Sequence, residues 1–287
     1  MNPILVSATA FKTCIRPENL RIRSNRQVRV NLDLSGDKIN DLLVEIGEVW
    51  VKTFSNGAII QRQLKAGIIQ KVVKRHHGLL ELPDLLYDLN QWQSTSAVKQ
   101  TNADGVQSLY IEIPSMGMLS HQIQLTPKSD LAAFLKVIVD CQTSGGWAAP
   151  AEMPAGLLEF VERRWRRCME RPDISRPIDC NVIPEFIQQH VGIARPIRIT
   201  VLNAAVKQTG EACFASCRLM GNQVILEHPE LIVSWDHTRV AEAWMVRCGC
   251  SCGEEVLEMY DARKRLIASI AFSGITSVEA RLLLALN

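Results

Sequence analysis

Two rhythms of apolar and polar residues alternate along this chain. The first has period two. Val49-Trp50-Val51-Lys52-Thr53-Phe54 and Ile197-Arg198-Ile199-Thr200-Val201-Leu202 are runs of β-branched and aromatic residues, as strands prefer, and SLYIEI, VLEMYD, QIQL and IASIAF are expected as further strands. Asn102-Ala103-Asp104-Gly105, between SAVKQ and VQSLYIEI, is a turn signal that predicts a hairpin. The second rhythm is helical. Leu131, Phe134, Leu135 and Ile138 recur at i, i+3, i+4 and i+7, one buried stripe, and Ser129 is the expected N-cap. SVEARLLLAL repeats that design with Ser277 as cap. Shorter helices are expected at Asp37–Glu45 and Ile183–His190.

These patterns return at a fixed offset of 148 residues. Leu85-Leu86-Tyr87-Asp88 falls on Val233-Ser234-Trp235-Asp236, Leu109 on Leu257, Met118-Leu119 on Leu266-Ile267, and Ser129 on Ser277. The constant offset over about ninety residues, with the hydrophobic pattern kept, predicts two diverged copies of one domain. The fold class is therefore α+β: a tandem duplication of a domain with a large antiparallel sheet and flanking helices. The division expected is an N-terminal segment (1–29), a first repeat (30–140), a linker with a basic helix (141–179) and a second repeat (180–287). In the linker, Ser-Gly-Gly and prolines precede a helix expected from Pro154 to Glu170, which Pro172 stops. Leu157, Phe160 or Val161, Trp165 and Cys168 form one face of it, and Arg163, Arg164, Arg166 and Arg167 crowd the other.

Composition narrows the function classes. Thirty-two basic against 30 acidic residues give a net charge of +2, so no nucleic-acid partner is expected. No apolar run approaches the roughly 18–20 residues that span a bilayer, so no membrane insertion is expected. The N-terminus does not read as a signal peptide. Nine cysteines, an odd number and mostly far apart, point to reduced thiols in the cytoplasm rather than a secreted disulfide framework. No phosphate loop, nucleophile elbow or H-E-x-x-H motif is present. Asp88 and Asp236 recur in both copies, which argues for a shared turn rather than chemistry.

The stretches GEVWVKTFSNGAI, HHGLLELPDLLYDLNQW, GVQSLYIEI and HQIQLTPKSDLAAF, in that order, resemble the first half of the cytosolic haemin-degrading or haem-trafficking proteins of the HemS and ChuS type. VSWDHTRVAEAWMVR and VLEMYDARKRLIASI resemble the second half. The resemblance covers about residues 30–280, and duplication is itself a feature of that family. It implies a pseudo-repeat of large antiparallel sheets. It also implies haem as ligand, beside the helix between the repeats, with a histidine on the iron and arginines near the propionates. The activity implied is haem transport or oxidative degradation in haem iron use, and the partners implied are haem-uptake or haem-oxygenase proteins. The family's axial histidine position is occupied near Arg171, residues 147–189 contain no histidine, and Leu86 stands about where the family has an arginine.

Cys168, His77, Arg163, Arg166 and Arg167 are therefore the haem-site candidates. Cys168 follows Trp165 on the expected helix, and a thiolate is a known haem ligand. His77, next to His76 before Gly78, carries an imidazole able to bind iron. The arginines could meet propionates through charge-assisted bonds. The alternative reading is a scaffold of this type without haem turnover, acting on a protein partner or as a regulator. A third reading takes Cys248, Cys250 and Cys252 as a soft-metal or redox centre. The repeat places them opposite Gln100, Asn102 and Asp104, at a hairpin tip. Cys213 and Cys217, four apart, are read as unlinked.

Overall fold

The computed structural model describes residues 20–24, 27–34, 36–65, 74–76, 79–82, 84–92, 95–115, 118–144, 157, 165–166, 169–192, 195–247 and 254–272. The first copy contributes β1 (Leu20–Ser24), β2 (Gln27–Leu32), helix α1 (Gly36–Ile46), β3 (Gly47–Phe54), β4 (Ala58–Leu64), β5 (Lys74–His76), β6 (Leu79–Leu82), β7 (Leu85–Asp88), β8 (Thr95–Thr101), β9 (Gln107–Ser115), β10 (Met118–Ser129) and helix α2 (Leu131–Cys141). The second contributes β11 (Ser175–Ile178), helix α3 (Ile183–Gly192), β12 (Ile197–Leu202), β13 (Val206–Ala212), β14 (Ser216–Met220), β15 (Gln223–His228), β16 (Leu231–Asp236), β17 (Glu242–Arg247), β18 (Glu255–Tyr260) and β19 (Leu266–Phe272). The offset of the sequence is kept in three dimensions: β4 lies on β13 residue for residue, and β2, β3, β8, β9 and β10 on β11, β12, β17, β18 and β19. The duplication and the antiparallel architecture are thus properties of the fold. No described helix is long and apolar enough to cross a membrane.

The chain forms two compact units. The first comprises residues 1–52, 63–154 and 204–206; the second comprises 53–62, 155–203 and 207–287. In the first, β1-β2-β8-β9-β10-β3 form an antiparallel run, and β7-β6-β5 a second, shorter one. In the second, the equivalent long run is β11-β17-β18-β19-β12-β13, and β4-β16-β15-β14 form the other. Each unit therefore contains a short segment of the other copy. In the second unit Ala58 pairs with Trp235, Ile60 with Val233 and Arg62 with Leu231, which sets Ala58 and Ile60 into its hydrophobic core. In the first, Ala205 and Val206 lie in the core. The anchoring bonds are reciprocal: Asp88 N–H donates to the Ala205 carbonyl at 2.7 Å, and Asp236 N–H to the Gly57 carbonyl at 2.8 Å.

Period two explains the cores. On β9, Leu109, Ile111 and Ile113 face inward against Ala97 of β8 and Ile123 and Leu125 of β10. Helix α1 adds Ile39, Leu42, Leu43 and Ile46, spaced for one face, and α2 adds Phe134, Ile138 and Cys141. In the second unit Ile183, Phe186 and Ile187 of α3 cover Ile197, Ile199, Leu257, Met259 and Ile270. The cap of α2 differs from expectation. Strand β10 runs through Ser129, so the N-cap is Asp130, whose carboxylate accepts from Ala133 N–H at 3.0 Å. Ser129 instead donates its hydroxyl to the Glu48 carbonyl. Ser277 lies outside the described residues.

Asp88 and Asp236 each cap a 3-10 turn that follows their strand, accepting from Asn90 N–H at 3.2 Å and Thr238 N–H at 3.1 Å. The repeated aspartate is the shared turn that the sequence implied. The hairpin at 102–105 forms as expected, with the Asn102 side chain accepting from Asp104 and Val106 and with Gly105 at φ +80°.

Gly57 sits at φ +123°, and a Cβ there would lie 2.8 Å from Arg239 Cδ. Gly57→Ala is expected to destabilise the protein by about 1–3 kcal/mol through backbone strain, read as a lowered urea midpoint with an unchanged slope.

Candidate functional site

The long sheet of the second unit has two unlike faces. Ala243, Met245, Leu257, Met259 and Ile270 point into the core. The cross-strand partners Trp244↔Glu258 and Glu242↔Tyr260 stand on the opposite face. Residues of the helix between the copies lie on that face. Leu157 and Trp165, both half-buried, pack with Trp244 against Leu202, Tyr260 and Leu266. Leu157, Trp165, Arg166, Met169 and Glu170 are helical, and the helix has ended at Arg171.

Three polar contacts fix Trp165 there. Its indole N–H donates to Glu242 Oε2 at 3.2 Å. Lys264 donates to the other oxygen of Glu242, and its ammonium lies 5.3 Å from the centre of the Trp165 ring, within cation–π range. Lys264 adopts φ +63°, an uncommon conformation for a side-chain-bearing residue, in the turn from β18 to β19. Asp261 holds this turn by accepting from Arg263 N–H at 2.8 Å, Arg265 N–H at 3.0 Å and the Arg265 guanidinium at 2.8 Å. Burial pushes the Asp261 carboxyl up, and the bonds from Arg265 and Arg263 outweigh it and hold it below the usual range.

Beneath the helix, Glu258 is fully buried and accepts from the Tyr260 hydroxyl. The indole N–H of Trp244 is buried without a hydrogen-bond partner. The same face of the first unit has a different chemistry. There the aligned pair is Tyr110 and Glu112, in the reverse order. Arg29 pairs with Glu112, and the Tyr110 hydroxyl donates to Gln100 Oε1 at 2.7 Å. Pro177 of β11 stands where β2 has Arg29, so the second unit satisfies its buried carboxylate with a tyrosine instead of a guanidinium.

Of the haem-site candidates, Arg166 is described and is solvent-exposed on the helix. Cys168, His77, Arg163 and Arg167 lie outside the described residues, as do Cys248, Cys250 and Cys252. The strands flanking those cysteines are paired to Arg247↔Glu255. Cys213 and Cys217 are free thiols. No group of three or more metal-binding side chains occurs among the described residues. Arg171 makes a two-armed bond to Asp173, both contacts at 2.9 Å.

Two of the other histidines serve the fold. His121 is fully buried in the first unit, with Nε2 3.0 Å from the Tyr87 hydroxyl and its ring edge-on to Tyr87. Burial pushes His121 down from 6.5 to about 3. His190 Nδ1 donates to the Phe186 carbonyl at 2.7 Å between the rings of Phe186 and Phe272, and burial lowers its pKa too. The residues that sequence reasoning missed are Glu242, Glu258, Tyr260 and Lys264. The one available signal was the exchange of Tyr and Glu between positions 110/112 and 258/260.

Two outcomes are expected. His121 stays neutral in the folded state to about pH 3, whereas the unfolded chain takes up the proton near 6.5. Stability contributed by neutral His121 is therefore present above that window and is lost as pH falls through it, at about 1 kcal/mol per pH unit. His121→Gln, measured by urea unfolding at several pH values, flattens this acid limb. Glu242→Ala removes the acceptor shared by Trp165 and Lys264. It shifts tryptophan emission to the red and speeds tryptic cleavage at the arginines of residues 163–167.

No family model matches this sequence, and no curated protein matches it. Solved structures do. The chain superposes on ChuS, a haem oxygenase of E. coli, with a TM-score of 0.72 at 18% identity, over 90% of this chain and 88% of that one. It superposes on holo-PhuS, a haem-binding protein of Pseudomonas aeruginosa, with a TM-score of 0.71 at 17% identity, over 89% and 86%. Apo-PhuS gives 0.70 at 15% identity. The fold of this chain is the fold of those proteins, and the resemblance read from the sequence extends to three dimensions.

Proposed function

We propose that this chain binds haem in the cytoplasm and acts in haem iron use, as a transport or degradation protein. The observation that carries the reading is the fold shared along about nine-tenths of its length with proteins described as a haem oxygenase and a haem-binding protein. The face under the inter-copy helix supports it. A porphyrin needs an apolar and aromatic seat with a few polar anchors. Trp165 and Trp244, partly exposed and packed on the buried Tyr260, Leu202 and Leu266, are the apolar and aromatic surface against which such a ring would lie, and the Trp244 N–H is a buried donor still to be satisfied.

On this reading the propionates meet Arg163, Arg166 and Arg167, and the iron takes Cys168 or His77. Arg171 stands where a histidine is expected from the resemblance, and a guanidinium offers no lone pair to iron; its bonds to Asp173 occupy it besides. When bound, haem itself supplies the oxygen-activating chemistry of its own ring opening. The chain's part is to seat the ring, pair the propionates and exclude water. Haem-uptake or haem-oxygenase proteins are the partners to which such a carrier would hand its load. The competing reading, a scaffold that binds a protein and no haem, draws on the absent histidine and on Leu86 standing about where the family has an arginine.

Haem titration followed by absorbance separates the two. Micromolar haem is expected to give a shifted Soret band that saturates at one equivalent. Cys168→Ala or His77→Ala should move that band, the variant that does so identifying the ligand, and Arg163→Ala/Arg167→Ala should weaken binding without moving it. An unshifted Soret band with the wild-type chain leaves the scaffold reading.

A further inference from the structure

The second unit carries a second polar site that the seat beside the helix does not use. Registers place Arg176 opposite Met245 on β11 and β17, and Arg247 opposite Glu255 on β17 and β18. Trp244 and Glu258 point the other way. Arg176, Arg247 and Glu255 thus stand on the side of the sheet away from Trp165, at the end of the core. Together with Asp173 and Ser175 they line a cleft of about 90 Å³. One water needs roughly 10–15 Å³ by such a measure, so the cleft holds a small polyatomic group and nothing near the size of a porphyrin.

The charges in the cleft are neither balanced nor fully bonded. The Glu255 side chain is only 9% exposed, and two guanidinium groups face it: Arg247 at 3.7 Å and Arg176 at 3.8 Å. Charge-assisted bonds close to about 2.7–2.9 Å, and these two stop short. Arg176 Nη2 and Glu255 Oε2, both buried, have no hydrogen-bond partner. Asp173 adds no free negative charge, because Arg171 holds both of its oxygens at 2.9 Å. What remains is one surplus positive charge, an unbonded donor and an unbonded acceptor 3.8 Å apart. One bridging oxygen with a proton of its own satisfies both.

We infer that this cleft binds a small oxyanion that also carries a hydroxyl, of the hydrogen phosphate or hydrogen carbonate kind. Its negative oxygens take the N–H groups of Arg176 and Arg247, and its hydroxyl donates to Glu255. The carboxylate makes the site selective. An anion of similar size with no proton, such as sulfate, meets Glu255 with like charge and leaves it unbonded, and sites built around a substrate hydroxyl reject analogues that lack it strongly. The inference does not depend on haem binding, and the two ligands occupy opposite faces of the sheet.

The experiment is calorimetric titration of the full chain near neutral pH with inorganic phosphate, hydrogen carbonate and sulfate in turn. Phosphate or hydrogen carbonate is expected to bind at least tenfold more tightly than sulfate. Arg176→Gln should weaken the preferred anion tenfold or more. Glu255→Gln, whose amide can donate, should bring sulfate close to it. Sulfate binding as well as the others, absence of binding by all three, or a folded Arg176→Gln chain with unchanged affinity would each overturn the assignment. Circular dichroism reports whether the variants fold. If Arg176→Gln does not, Arg247→Gln replaces it, and the comparison of anions on the wild-type chain decides regardless.

Discussion

The constraint on which the rest of this structure depends is that each compact unit is completed by chain from the other copy. The second unit cannot close its core without Ala58 and Ile60, which pair into β16 and are only 1% and 0% exposed. The first unit holds Ala205 and Val206 in the same way. Backbone amides must be paired where they are buried. The bonds from Asp88 to Ala205 and from Asp236 to Gly57 do this at equivalent places. A duplicated domain whose copies merely followed one another could lose either half and keep the other. Here removing residues 53–62 strips a core strand from the second unit, so truncation between the copies costs both.

Within that frame the sheet faces are free to diverge. The core face of each long sheet is set by alternation and tolerates only apolar exchange, as in Ile111 and Met259 or Leu109 and Leu257. The outer face carries what distinguishes the copies. In the first, Arg29 neutralises Glu112 directly. In the second, Pro177 removes that arginine and the carboxylate shifts to position 258, where the Tyr260 hydroxyl meets it. The aromatic residues Trp244 and Trp165 then occupy the space over it. One copy thus becomes a salt-bridged wall and the other an aromatic face packed under the helix, from the same strands in the same register.

The sequence made the fold legible because its signals are local and occur twice. Alternation marked β3, β9, β10, β12, β18 and β19, and the offset from Asp88 to Asp236 marked the duplication. Ser129 was a reasonable cap by residue type, but whether β10 ends before or after it depends on the Glu48 carbonyl, contributed from 81 residues earlier in the chain. The exchange of strands was not legible at all. Period two tells which face of a strand is buried and says nothing about which sheet receives it, so VWVKTF and AIIQRQL read alike although the chain changes unit at residue 53. At the candidate site, apolar spacing pointed to Trp165 as a packing residue. It could not reveal that Glu242 and Lys264, 77 and 99 residues on, would grip it.

The grip on Trp165 bears on how the helix is held against the sheet. Arg171 follows the last described helical residues, near where the resemblance to the haemin-handling proteins would place a histidine. That arginine is tied to Asp173, and its carbonyl accepts from Ile174 and Ser175 N–H at 3.0 and 3.1 Å, so it finishes the helix and leads the chain into β11. Arg171 therefore has a structural use at the end of the helix. Lys264, Glu242 and the apolar seat hold it. On the proposed haem reading, a face held by packing and by a cation–π contact keeps its shape whichever neighbouring side chain with a lone pair meets the iron. Thiolate and imidazole qualify, guanidinium does not. On that reading a histidine there would have added one bond to a face that packing already holds.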